Sequence, residues 1–253
     1  LNFLQDGIIP SYTMNEQFTT LTDMAGLGIR LSPTQIGQFE TYARELIDWN
    51  KRINLTSITE QSLIYKLHFL DSLTACMAIP NVAKMHVSVC DVGSGAGFPG
   101  LPLKIAFPTI RLTLVDSISK RTDFLKQIVN ILGLDEVTVV TDRSESIGQS
   151  DSFRERFDVV VSRAVAKTRI LLEYTLPLCS MNGRTILLKK GDMIGEMSEA
   201  SVAVSELGGK NMRIVDIPTE ILDGDRKLIV VDKFTDTPAK YPRRIGIPAK
   251  RPL

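Results

Sequence analysis

The stretch Asp91-Val92-Gly93-Ser94-Gly95-Ala96-Gly97-Phe98-Pro99-Gly100 comes straight off the β-branched run Val87 to Val92 and leads into helix-compatible residues from Leu101 to Phe107. Its glycines let the backbone turn tightly and approach a ligand with no Cβ in the way, and a helix start offers free amides. Strand, glycine turn and helix in that order make one unit of an α/β sheet, and the sequence downstream repeats the unit. Arg111 to Val115, Val137 to Thr141, Asp158 to Val161, Arg184 to Leu188, Met212 to Ile217 and Lys227 to Asp232 read as further strands. Helical stretches separate them at Lys120 to Leu132 closed by Gly133, Thr168 to Cys179, and Asp192 to Leu207 closed by Gly208 and Gly209. This alternation specifies a parallel sheet with helices on both faces. The last two strands have only the turn-like Pro218 to Asp225 between them, so they pair antiparallel as a terminal hairpin.

Upstream, Ser32 can cap and Pro33 sits at the first helical position, with Ile36, Phe39, Tyr42, Ala43, Leu46 and Ile47 at helical spacing. A second helix runs from about Thr59 to Met77, with Leu63, Ile64, Leu67, Leu70 and Leu73 on one side, and breaks at Pro80. The chain therefore divides into a segment 1–31 without period, a helical extension 32–84, an α/β core 85–235 and a basic tail 236–253. It opens on Leu1, and Met14 is a candidate initiator.

The 253 residues carry 30 Lys plus Arg against 29 Asp plus Glu, and 43% are apolar, which is ordinary globular composition. Cys76, Cys90 and Cys179 are widely spaced, and only His68 and His86 could join them, so neither a disulfide framework nor a zinc site is expected. No apolar run reaches the about 18 residues of a membrane span and the first residues lack a basic start followed by an apolar block, so a soluble, cytoplasmic protein is expected, with a monomer as the default.

Two cofactors compete for the glycine loop. Gly95, Gly97 and Gly100 satisfy the dinucleotide G-x-G-x-x-G pattern, and Asp116 lies near the about 20-residue offset of a ribose-binding acid. That reading makes the protein an NAD-dependent oxidoreductase. In a dinucleotide fold, however, the first glycine ends the strand, and Gly93 already does so. Asp91 two residues before Gly93 fits instead the D-x-G-x-G-x-G loop of class I methyltransferases, in which Gly93, Ser94, Gly95, Gly97 and Phe98 would line S-adenosylmethionine. That cofactor has an ammonium and a sulfonium but no pyrophosphate, so it needs close backbone approach and an acid more than a phosphate cradle.

Other positions at strand ends suit the same ligand. Asp116 can accept ribose hydroxyls, with Ser117 next to it, or can cap the turn before Ile118. Ser144 and Glu145 follow the third strand, where an adenine would lie, although a glutamate there can equally be a surface residue. Arg163 follows the fourth strand beside the expected methyl group, unless it pairs with Asp91 or Asp116. His68, Asp71 and Ser72 share a helical face that either caps the pocket or fastens the helix to the sheet, and Trp49 reads as packing.

The chain resembles the glucose-inhibited division protein B family, the small-subunit ribosomal RNA guanine-N7 methyltransferases. The stretches that carry the likeness are Trp49-Asn50 with Ile53-Asn54-Leu55-Thr56, His68 to Leu73, Asp91 to Leu103, Leu114 to Ser117 with Lys120-Arg121, Ser162-Arg163-Ala164, Lys189-Lys190-Gly191 and Tyr241-Pro242-Arg243-Arg244. The resemblance implies a Rossmann-like class I methyltransferase sheet with an N-terminal helical extension, S-adenosylmethionine as cofactor and S-adenosylhomocysteine as product. It implies cofactor contacts at Gly93, Phe98, Asp116, Ser117, Ser144, Glu145 and Arg163, and ribosomal RNA or the small subunit as partner. One departure is visible: the family's basic residue before the histidine is Leu67 here, with Lys66 one earlier.

Guanine N7 carries a lone pair at neutral pH, so no general base is expected, and Arg163 is left with an orienting role. Residues 237–253 hold Lys240, Arg243, Arg244, Lys250 and Arg251 with Tyr241 among them. Such a tail can neutralise phosphates and stack on a base, or stand as a solvated terminus. A non-catalytic RNA-binding or cell-division factor on the same fold is the remaining alternative.

Overall fold

The fold is that of a computed structural model, which describes residues 26–80, 82, 86–164 and 166–253. The Met14 reading lies outside them, as does most of the 1–31 segment.

Ser32 starts α1, Pro33–Asn50, through a reciprocal capping box: Gln35 N donates to Ser32 Oγ and Ser32 N donates to Gln35 Oε1. Phe39, Tyr42, Ala43 and Leu46 make its buried stripe. Residues 61–78 form α2, whose centre, Tyr65–Leu70, widens into a π turn and whose last turn, Thr74–Ala78, tightens to 3-10 geometry. Asn50 ties the two helices together: its Oδ1 accepts from Leu55 N and Thr56 N, and its Nδ2 donates to Thr56 O.

The sheet has seven strands in the order β3-β2-β1-β4-β5-β7-β6. They are β1 Ser88–Val92, β2 Arg111–Asp116, β3 Val137–Thr141, β4 Phe157–Ser162, β5 Cys179–Lys190, β6 Gly209–Asp216 and β7 Arg226–Lys233. The first five are parallel, and β7 lies antiparallel to both β5 and β6, so the expected hairpin forms with its second strand inserted beside β5. Helices α3 Gly100–Ala106, α4 Ser119–Ile131, α5 Ser144–Gly148, α6 Thr168–Thr175 and α7 Ile194–Glu206 connect them, and α8 is Ile247–Lys250.

Period-2 alternation sorts the strand side chains onto two faces. Val89, Val159, Val161, Ile186, Leu188, Leu228 and Val230 join α1 to α4 in one core. Cys90, Val160, Leu187, Ile229 and Val231 face α5 to α7 on the other side. Trp49 is packing, with its ring 5.6 Å from that of Phe124. Among the described residues no helix is long and apolar enough to cross a membrane.

One boundary differs from the sequence expectation. The helix expected over Thr168 to Cys179 ends at Thr175, and Leu176–Leu178 form a 3-10 turn before β5 begins at Cys179. Pro177 has no amide to donate back to the preceding turn, so the α-helical hydrogen-bond ladder stops there although Leu176 itself keeps helical angles. Cys179 is thereby the first residue of β5, at the opposite end of that strand from Lys189.

The tail is bolted to the core. Lys233 is buried, with Nζ 3.0 Å from Glu155 and hydrogen-bonded to Leu176 O and Thr237 Oγ1. Arg154 donates to Thr237 O and Tyr241 O, and Arg243 forms a bidentate pair with the fully buried Glu173. Tyr241 is 4% exposed and donates its hydroxyl to Glu206. This corrects two of the RNA contacts expected from the sequence: Tyr241 has no free ring face to stack, and the charge of Arg243 is already matched. Lys240, Arg244, Lys250 and Arg251 remain exposed. Glu173→Ala is expected to cost about 1.5–3 kcal/mol, because charge-assisted hydrogen bonds are lost while the Arg243 side chain, 26% exposed, can still reach water. Urea melts would measure this, and the 236–253 segment should become protease-sensitive.

Candidate active site

The C-terminal ends of β1, β2, β3 and β4 meet where the strand order reverses, between β1 and β4, which is where open α/β sheets bind ligands. Ser162 Oγ donates to Val92 O across that junction, fixing the two strand ends together.

The glycine loop is built to leave room. Gly95, at φ 58°, has nothing within 4 Å of where a Cβ would stand, so its bare backbone is open to a ligand. Gly97 is glycine for the opposite reason: a Cβ there would meet the Tyr42 hydroxyl at 2.7 Å. Tyr42 in turn donates to Ala96 O, so α1 of the helical extension seats directly on the loop.

The loop's amides are mostly engaged inside the protein. Gly93 N and Ser94 N donate to Val115 O, Gly95 N to Asp116 Oδ2, Gly97 N and Phe98 N to Ser94 O, and Gly100 N to Asp91 Oδ2. Leu101 N and Leu103 N are bonded within the turn as well, and Pro99 and Pro102 have no amide. A pyrophosphate needs such donors free, and from Gly93 to Gly100 only the Ala96 amide has no acceptor among the described residues, which counts against the dinucleotide reading. Ser94 is also placed differently from its expected role. Its Oγ donates to Asp91 O and accepts from Val115 N, which makes it a stitch between β1 and β2.

What the loop lacks in donors it offers in acceptors. Asp91 is fully buried, with Oδ2 on Gly100 and Oδ1 without a partner among the described residues. Burial pushes its carboxyl up to about 7, against the lowering effect of the Gly100 hydrogen bond and of Arg163. A buried orphan oxygen and a cradle that a Cβ would fill are what an ammonium-bearing ligand such as S-adenosylmethionine requires. Asp116, 5% exposed, accepts Gly95 N on Oδ2 and Ile118 N on Oδ1. It therefore does cap the turn before Ile118, and it holds the glycine loop as well. Ser117 is exposed beside it. Ile118 is 44% exposed at this strand end; an isolated isoleucine in a turn gives no periodicity signal, and sequence reasoning passes over it.

Ser144 begins α5, and Glu145 is 6% exposed with Oε1 accepting Gly246 N from the tail. The surface-glutamate alternative is thereby excluded: this carboxylate is held inside by a segment about a hundred residues downstream.

Arg163 pairs with neither Asp91 nor Asp116. Its NH1 lies 3.0 Å from Asp71 Oδ2 and donates to Leu67 O, its NH2 reaches His68 Nδ1 at 3.2 Å, and its guanidinium covers the Phe98 ring at 4.7 Å. His68 stacks on the same ring at a centroid distance of 4.6 Å and meets Thr56 Oγ1 through Nε2 at 2.7 Å. Burial, then Arg163, lowers His68 to about 4, so the ring is neutral at physiological pH. The π turn brings Leu67 O, His68 and Asp71 onto one arginine, and π turns recur at functional sites. Of the two sequence readings of this helix face, the contacts show the fastening one: α2 is tied to the end of β4 through Arg163. Arg226 NH1, 3.3 Å from Asp71 Oδ1, is a contributor the sequence offers no local cue for. Lys66, next to the departing Leu67, pairs with Asp223.

A family model described as rRNA small subunit methyltransferase G matches residues 35–228. The chain belongs to that family. A protein named Ribosomal RNA small subunit methyltransferase G from Dehalococcoides mccartyi is 46% identical over 230 residues, spanning 91% of this chain and 97% of that one. Its namesake from Lactobacillus johnsonii is 45% identical over 231 residues, with the same coverage. As a member of that family, the chain is an S-adenosylmethionine-dependent methyltransferase. Solved structures share the fold at low identity. The CurJ carbon methyltransferase superposes with TM-score 0.54 at 12% identity, covering 91% of this chain and 72% of its own. A variant of MtNAS in complex with S-adenosylmethionine gives 0.52 at 16%, covering 88% and 77%. The chain therefore shares with them the seven-stranded α/β sheet read from its sequence, with the terminal hairpin in place.

Proposed function

We propose that this protein methylates N7 of a guanine in small-subunit ribosomal RNA, and that Gly93, Gly95, Gly97, Phe98, Asp116, Ser117, Ser144, Glu145 and Arg163 line its cofactor. The observation that carries the reading is the pairing of an acceptor-rich, donor-poor glycine loop with a rigid wall of Phe98, His68 and Arg163 that contains no free acid or base. Bound S-adenosylmethionine supplies an activated methyl group. Asp91 Oδ1 would take its ammonium, and Asp116 and Glu145, already oriented by Gly95, Ile118 and Gly246, would take its ribose and adenine ends.

An N7 acceptor needs no proton removed, so the residues here have to position it and keep water out. Positioning of this kind is worth up to roughly 7 to 11 kcal/mol in model reactions. Arg163, held from three sides, keeps the wall in place; His68 has both ring nitrogens engaged, by Thr56 and Arg163, and Asp71 is doubly paired, so neither is free to exchange a proton with a substrate. N7 lies in the deep groove of A-form RNA, so the target guanine belongs to a loop or is flipped out, and the exposed Arg244, Lys250 and Arg251 supply phosphate contacts, joined by Lys240 where it leaves its exposed pair with Glu206. Incubation of unmodified ribosomal RNA with the protein and labelled methyl donor, followed by nucleoside mass spectrometry, should yield 7-methylguanosine. Unchanged RNA, or the label on any other atom, would overturn the proposal.

A further inference from the structure

A cavity of about 470 Å³ lies at the ends of β5 and β7, lined by Arg163, Lys167, Lys190, Arg226 and Glu196 over Leu188 and Met193, among others. Its lining is strongly cationic, but the cations are not equally occupied. Lys167 meets Glu199 at 3.1 Å, and Lys189 meets Glu196 at 2.9 Å and also donates to Ala166 O. Lys190 is exposed, and its ammonium has no ion-pair or hydrogen-bond partner among the described residues. Arg226 touches Asp71 with one end only, and its Nε is buried without an acceptor among the described residues.

These two residues face each other in the sheet. In the antiparallel β5–β7 ladder, Lys190 is registered directly opposite Arg226, and directly opposed residues project from the same face, where like charges destabilise the pair. Asp71 meets part of the Arg226 charge and none of that of Lys190, so an anion between the two cations would relieve the like-charge contact. Leu188 and Met193 give the cavity an apolar floor under them. Arg163 belongs both to this cavity and to the cover over Phe98, so an anion held here stands next to the methyl-transfer site.

We propose that Lys190 and Arg226 hold a phosphodiester group of the RNA strand, adjoining the nucleotide presented to the glycine loop. The inference rests on the RNA methyltransferase reading above and adds to it the group that sets the strand's register. A single phosphate contact of this kind has a distinct signature: its loss weakens binding about fivefold at physiological salt and lowers the slope of log Kd against log salt by about one.

The test is a salt series of Kd for a ribosomal RNA fragment, measured with the unaltered protein, Lys190→Ala, Lys190→Arg and, as a charge-matched control, Lys126→Ala, whose lysine is 57% exposed on α4 beside Asp123. Lys190→Ala is expected to lose the affinity and the slope unit, with Lys190→Arg restoring both. Parental affinity and slope in Lys190→Ala would overturn the proposal, and so would an equal loss in Lys126→Ala, which would make the attraction diffuse. Calorimetry with S-adenosylmethionine confirms that each variant is folded. Failure of the unaltered protein to methylate RNA would count against the underlying reading, a result distinct from any of these.

Discussion

Arg163→Ala is expected to reduce methyl transfer by about a hundredfold, the scale of a misplaced reacting group, while the protein still folds. The guanidinium forms the lid on Phe98 and is itself held by Asp71, His68 and Leu67 O. Its removal frees the aromatic wall to move and takes one counter-charge from Asp71, which is 3% exposed. Arg226, 3.3 Å from the other oxygen of Asp71, keeps that carboxylate from being stranded. The stability loss should therefore stay near the about 1.5–3 kcal/mol of a charge-assisted hydrogen bond and short of the about 3–5 kcal/mol of an uncompensated buried charge. Lysine at this position has one ammonium in place of a planar fork, so Arg163→Lys should recover only part of the activity. Single-turnover rates together with thermal melts separate the two effects. Full turnover by Arg163→Ala would remove this residue from the site.

Asp91→Asn is expected to weaken S-adenosylmethionine binding by about tenfold to a hundredfold, the equivalent of one charge-assisted hydrogen bond, while leaving the ligand-free fold intact or firmer. Asparagine copies the neutral form of the acid and can still accept Gly100 N. The sign follows from the pKa. Burial raises the native carboxyl to about 7 from an ordinary 3.8, so between those values the native state holds a proton that the unfolded chain has lost. Stability from this group is present below the unfolded value and is lost as the pH climbs through 7. Cofactor binding runs the other way, because an ammonium favours the ionised carboxylate: affinity should rise with pH through about 7, with proton release on binding. In Asp91→Asn both pH dependences should flatten. Isothermal calorimetry in buffers of different ionisation enthalpy checks this, and an unaltered pH profile in the variant would show that Asp91 does not meet the ligand.

His68 titrates with the opposite sign. Its native value of about 4 lies below the ordinary 6.5, so its contribution is complete above 6.5 and disappears as the pH falls toward 4. Acid should therefore loosen the contact between α2 and Arg163.

The strand and helix sequence, the antiparallel hairpin and the glycine loop were legible because each is a local pattern: period 2, period 3.6, or glycine spacing after a strand. The cap at Ser32 was legible for the same reason, since a capping box lies within four residues. The helix end at Thr175 was misplaced by Leu176 to Cys179, whose apolar character suits helix and strand alike until Pro177 is weighed. The tail shows the limit most clearly. Composition marks residues 237–253 as a cationic arm, yet the carboxylates of Glu173 and Glu206 that meet Arg243 and Tyr241 lie far back in the chain. Burial of those residues cannot be read from their neighbours in sequence.

The sequence by itself determined that this chain builds a seven-stranded methyltransferase sheet and where along it the glycine loop and its acids fall, because those properties depend on residues close together in the chain. Only the tertiary structure decided which donors and acceptors remain free. The loop amides are consumed by Val115, Asp116 and Ser94, Asp91 keeps one bare oxygen, Arg163 is held by a helix almost a hundred residues upstream, and Lys190 is left facing Arg226. Hydrogen-bond and charge balance are sums over everything within a few ångströms, and in a parallel sheet those neighbours come from strand ends far apart in the chain.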